Sequence, residues 1–133
     1  MNLNYDIQKI EKALADIIRA SNVSANVFEG QRPSLSSDTM NDFIVVSVPS
    51  AINDRAAIGT CNVRIEVFVK NITATGLKNS IKFSYIFAKL NDLFPLIHST
   101  YLFGSYPTII PLGNDGYGYH VQAININTTI KTV

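Results

Sequence analysis

The chain has 133 residues, 47% of them hydrophobic and 16% charged, with 11 basic and 10 acidic side chains giving a net charge of +1. That length is enough to bury a core in one domain without covalent staples, and the apolar content excludes a disordered chain. The basic residues are scattered and form no stripe, so no sequence-specific nucleic-acid binding is expected.

Asp6 to Ala20 predicts an amphipathic helix. Ile7, Ile10, Leu14, Ile17 and Ile18 stack on one stripe, Asn4 or Asp6 can cap the start, and Glu11, Lys12, Asp16 and Arg19 take the wet side. Poor helix formers end it, and a short strand at Val27-Phe28 stops at Glu29-Gly30. Gln31 to Asp42 is polar, with a proline and several serines, and reads as an exposed loop. Phe43 to Val48 is a strand apolar on both faces, closed by Pro49, so both faces are expected to be covered.

Ser50 to Gly59 is a polar connection. From Cys61 to Lys70 the residues alternate: Cys61, Val63, Ile65, Val67 and Val69 on one face, Asn62, Arg64, Glu66, Phe68 and Lys70 on the other. A period of two marks a strand with one face on a core. A second helix is expected from near Thr75 or Gly76 to Phe94, with Ile81, Phe83, Ile86, Phe87, Leu90, Leu93 and Phe94 as its apolar stripe and Pro95 as its stop.

His98 to Gly104 predicts a turn, Pro107 to Pro111 a short strand, and Gly113-Asn114-Asp115-Gly116 a tight turn. The last strand runs from about Tyr117 to Lys131, with Ile124, Ile126 and Ile130 on one face and Tyr119, Val121, Ala123, Asn125 and Asn127 on the other. The order α-β-β-β-α-β-β predicts an α+β fold in a single domain: a mainly antiparallel sheet with two helices packed on one face. Its expected core is Ile10, Leu14, Ile17, Val63, Ile65, Val67, Ile86, Phe87, Leu90 and Ile126.

Residues that could carry chemistry are sparse. Cys61 is the only cysteine, so no intrachain disulfide forms, and its place on an apolar face predicts a buried small hydrophobe. His98, just past a helix end, can complement the helix dipole, and His120 is a surface or edge residue of the final hairpin. Neither has metal-ligand spacing with Cys61 or a carboxylate, and no Gly-x-Ser-x-Gly elbow occurs. No catalytic, cofactor-binding or metal site is therefore expected, and the chain reads as a non-enzyme. Met1 to Asp6 lacks a basic cluster followed by an apolar run, so no signal peptide is expected, and the sequons at Asn22, Asn71 and Asn127 carry no weight. No stretch reaches the ~18 apolar residues of a membrane span.

Apolar and aromatic side chains off the core pattern are more informative. Phe43, Val45 and Phe68 project from the face opposite the helices and predict an apolar patch on the free subunit, covered by a partner. Tyr101, Phe103, Tyr106, Tyr117 and Tyr119 crowd the last hairpin, where tyrosine offers apolar area with a polar tip. The candidate interface is thus Phe43, Val45, Phe68, Tyr106, Tyr117 and Tyr119. Packing of the tyrosines within their own domain is the competing reading.

The order of elements, with Val27-Phe28-Glu29-Gly30, Arg32-Pro33 and the strand Phe43 to Val48, resembles the tail terminator (tail completion) proteins of long-tailed bacteriophages and their minor-tail relatives. The resemblance implies a non-enzymatic virion component of phage or prophage origin. It implies a homo-oligomeric ring, commonly of six subunits, that terminates the tail tube and meets the head–tail connector. Assembly in the host cytoplasm and a final place in the virion tail go with it. A head-to-tail ring needs two different surfaces of each subunit to meet. The alternative is a monomeric module that binds a small ligand or a peptide.

Overall fold

The computed structural model describes residues 4–33, 40–73, 76–104 and 106–131. Helix α1 spans Ile7–Ala20 and is capped by Asp6, whose Oδ1 accepts from the amides of Gln8 at 2.9 Å and Lys9 at 3.4 Å. Its outer face carries an ion-pair ladder, Asp16 meeting Lys12 and Arg19 at 2.8 Å each. Ile10, Leu14 and Ile18 are fully buried, while Ile17 is half-buried and Ile7, in the first turn, is exposed.

Strands β1 (Val27–Glu29), β2 (Asp42–Ser47), β3 (Asn53–Asp54) and β4 (Ile58–Lys70) follow. Helix α2 (Ser80–Asn91) then leads to β5 (Leu96–Ile97), β6 (Tyr101–Phe103), β7 (Thr108–Asn114) and β8 (Tyr119–Lys131). All join one sheet in the order β1-β2-β4-β8-β6-β5, with β3 on β4 and β7 on β8. The pair β1–β2 is parallel and the others antiparallel. The spine is β4 against β8, in register from Ile58 opposite Lys131 to Lys70 opposite Tyr119.

Both helices cover the same face. Ile10, Leu14 and Ile18 of α1 and Phe83, Ile86 and Leu90 of α2 share one cluster with Ile44, Val46, Val63, Ile65, Val67, Ile124 and Ile126. The fold is therefore α+β, a mainly antiparallel sheet with two helices on one face. Of the expected core, Ile17 and Phe87 are only partly buried and the rest is buried.

Local chemistry accounts for the departures. The second helix is shorter than its apolar pattern suggests, because Asn79 caps it by accepting from the amide of Lys82 at 3.1 Å. Gly76 stands outside it at φ +96, and Thr75 lies outside the described residues. At 100° per residue, Ile81 is two residues and half a turn away from Phe83. Ile81 consequently faces outward at 87% exposure and does not belong to the stripe that reaches the core. The connection Ser50 to Gly59 contains β3, and the expected turn His98 to Gly104 contains β6, which with β5 makes a short hairpin. The loop from Gln31 is not wholly exposed: Arg32 and Pro33 are half-buried and Met40 is buried, while 34–39 lie outside the described residues.

Candidate functional site

The face of the sheet away from the helices divides in two. At one end Met40, Phe43, Val45, Phe68, Tyr119 and Val121 form a second buried cluster, with Phe28 packed against it. The in-register pairs Phe43–Phe68 and Phe68–Val121 put these side chains in one row. Phe43 stacks on Phe68 with ring centres 4.3 Å apart, and Tyr119 and Phe28 meet Phe43 edge-on at 5.1 and 6.0 Å. Tyr119 donates its hydroxyl to the Met40 carbonyl at 2.8 Å, which ties the incoming end of β2 to the last strand.

Arg32 closes this cluster. Its guanidinium carbon lies 5.1–5.7 Å from the ring centres of Phe68, Tyr117, Phe43 and Tyr119, and one of its nitrogens pairs with Asp115. Asp115 also accepts from the amides of Tyr117 at 2.7 Å and Tyr119 at 3.1 Å. Burial pushes the Asp115 carboxyl upward, but these amides and the guanidinium outweigh it and hold the group below the ordinary carboxylate range.

The expected apolar patch is therefore closed within the subunit. Phe43, Val45 and Phe68 are 2%, 2% and 5% exposed, and Tyr119 is 1% exposed. The physical reason is Arg32: a planar cation can cover several rings while its charge is met by a carboxylate. Tyr106 and Tyr117 are 85% and 74% exposed, although the Tyr117 ring still meets the Arg32 guanidinium. Tyr101 and Phe103 pack in the helix-side core. Sequence alone marks Arg32 only as part of an Arg-Pro passage, because the partner that defines its role lies near the other end of the chain.

The other end of that face is polar. Asn62 opposes Asn127, Thr60 opposes Thr129, and Arg64 donates through Nε to Asn125 at 3.0 Å. Ser50, Asn53, Thr60, Asn62, Asn127 and Thr129 line an open depression there. On the helix side, Phe87, Leu90, Phe94, Pro107 and Ile109 line an apolar cleft of about 90 Å³.

Reactive groups do not converge. Cys61 is buried in the main cluster, and that burial pushes its thiol up to about 11. His98 is seven residues beyond the last residue of α2. It does not serve that helix: its Nδ1 accepts from the Thr100 amide at 3.2 Å and its ring stacks on Tyr101, shaping the β5–β6 turn. His120 contacts the Asn71 side chain at 2.5 Å. Among the described residues no three His, Cys, Asp or Glu side chains gather as metal ligands, and no buried side-chain polar atom lacks a partner. No helix among them is long and apolar enough to cross a membrane.

No family model matches the chain, and no curated protein matches it in sequence. Among solved structures, one whose name describes no function aligns over 93% of this chain and 92% of its own, at 16% identity and a TM-score of 0.57. That likeness is one of fold.

Proposed function

We propose that this protein is a non-enzymatic structural component of a phage or prophage tail, a tail-terminator-like subunit that assembles into a ring. The ring would end the tail tube and adjoin the head–tail connector. The observation that carries the reading is the use made of the passage that resembles the family. Val27 to Glu29 forms the edge strand β1, Gly30 turns beside Glu11, and Arg32 reaches across to seal the second cluster against the last hairpin. The passage is thus a structural joint of the subunit, with no reactive group placed by it. Tyr106 and Tyr117, exposed around the last hairpin, are the candidate contact residues that remain at the surface.

The character of the cavities weighs against the monomeric small-ligand module. Its apolar cleft of about 90 Å³ falls well short of the roughly 300 Å³ at which ligand pockets begin, and the larger depression, of about 590 Å³, is open and lined mostly by Ser, Thr and Asn with no charged side chain. Mass photometry with negative-stain microscopy tests the reading: closed rings, or subunits seated on the ends of purified tail tubes, are the expected result. A chain that stays monomeric at all concentrations and ignores tube ends overturns it.

A further inference from the structure

Both helices cover the same face of the sheet, yet their outer sides are finished differently. On α1 the outer side is the ion-pair ladder Lys12–Asp16–Arg19. On α2 it carries Ile81 and Tyr85, one turn apart and 87% and 51% exposed, with Leu77 exposed where the chain enters the helix. The inner side of α2 already buries Phe83, Ile86 and Leu90. A helix apolar on both sides is normally covered on both.

The rim of this surface is basic. Lys82 and Lys89 lie 5.3 and 4.8 Å from the centre of the Tyr85 ring, and Lys78 is exposed just before the helix. Lys82 is met by Asp42 at 3.3 Å, whereas Lys78 and Lys89 are in no ion pair among the described residues. Asp92, at the helix C-cap, is the acid nearest in sequence.

We propose that the outer face of α2, centred on Ile81 and Tyr85, docks a segment of another protein that presents apolar side chains flanked by carboxylates. A lipid surface fits less well, since anionic bilayers are held by clusters of roughly 4–8 basic residues. A second copy of this chain fits less well too, because most of its carboxylates are engaged at home. Asp6 caps α1, Asp16 and Glu29 hold Arg19, Asp42 holds Lys82, Asp54 accepts from Tyr5, Asp115 holds Arg32, and Glu11 is buried. The lysines speed and orient encounter, and the apolar pair supplies the buried area.

The test uses two synthetic amphipathic helical peptides with the same leucine face, one rimmed with glutamates and the other with lysines. Fluorescence anisotropy should show binding of the glutamate peptide alone, with amide shifts centred on Ile81 and Tyr85. Ile81→Asp should weaken it roughly tenfold or more and Lys89→Glu several-fold. Ile81 is almost wholly exposed, so its circular dichroism should be unchanged. Equal binding of both peptides, no binding of the glutamate peptide, or tighter binding to phosphatidylglycerol vesicles overturns the proposal. So does an oligomer that Ile81→Asp converts to monomer, since that would make a second copy the occupant while leaving the ring reading intact. Peptide binding by a chain that forms no ring fails the ring reading alone.

Discussion

Arg32 and Asp115 are 83 residues apart in sequence and form an ion pair over a stack of aromatic rings. The pair fastens the chain after the edge strand β1 to the turn between β7 and β8, on the opposite side of the spine strands. Arg32→Met keeps apolar cover but loses the charge, leaving a carboxylate that is 10% exposed with only backbone amides. The guanidinium is 30% exposed, so solvent screens part of the interaction. A loss of roughly 1–3 kcal/mol is expected in urea unfolding. A change under about 0.5 kcal/mol would mean the rings pack equally well without the cation.

The same carboxylate sets an acid limb of stability. Its folded pKa is depressed, so its contribution is present above the unfolded value, about 3.9, and is lost as pH falls through the lower folded value. Asp115→Asn should flatten the fall in stability below pH about 4. Glu11 acts in the opposite sense. Burial raises it, the Val48 amide opposes that, and Glu29 adds to it. Its contribution is therefore full below the ordinary carboxylate range and declines as pH rises through the raised value. Glu11→Gln should remove that decline, and melting curves from pH 3 to 7 would show both limbs. Parallel curves for wild type and both variants would refute the assignment.

Much of the fold is legible in sequence because its period is clean. Cys61 to Val67 alternates, the last strand alternates on either side of a switch of its apolar face at Ala123-Ile124, and those two strands are the spine. The ends of α2 are less legible, since an apolar run from Leu77 to Phe94 carries no sign that Asn79 resets the start. Strands of two or three residues such as β3, β5 and β6 are too short for a period to register. The closed second cluster was hidden for a different reason. Phe43 and Phe68 read as an uncovered face until the position of Arg32 is known, and a contact across 83 residues leaves no local pattern.

The thiol of Cys61 should be inert in the native state. It is buried on the helix side of β4, and at about 11 its thiolate is scarce at neutral pH. Titration with a disulfide reagent at pH 8 should give no reaction with the folded protein and one equivalent after unfolding in guanidinium chloride. Rapid labelling without denaturant would show that β4 opens near Cys61.

Strand β7 is a seven-residue edge free of Lys, Arg, Asp and Glu, a composition that invites edge-to-edge pairing. The opposite edge of the sheet, the three-residue strand β1, is guarded by Arg19, which donates to the Val27 carbonyl at 2.8 Å. On β7 the guard is Pro111, which has no amide proton, together with the irregular register between Pro111 and Gly113. Pro111→Val should keep the fold and raise self-association, seen as growing light scattering with concentration. Scattering identical to wild type would place the protection elsewhere.

The decisive contrast lies between Phe68 and Tyr106, both candidate interface residues by sequence. Phe68 is 5% exposed, stacked on Phe43 and covered by Arg32, whereas Tyr106 is 85% exposed. Phe68→Glu buries an unpaired carboxylate under a cation already committed to Asp115, so it should unfold the subunit or cost more than about 3 kcal/mol. Tyr106→Glu should change stability by no more than about 0.5 kcal/mol, because it alters only solvated surface. If the ring uses the last hairpin, Tyr106→Glu abolishes assembly of a fully folded subunit. Circular dichroism and mass photometry on the same samples separate the cases. A folded Phe68→Glu subunit that fails to assemble would reopen the second cluster as an interface. A folded Tyr106→Glu subunit that still forms rings would remove Tyr106 from the contact.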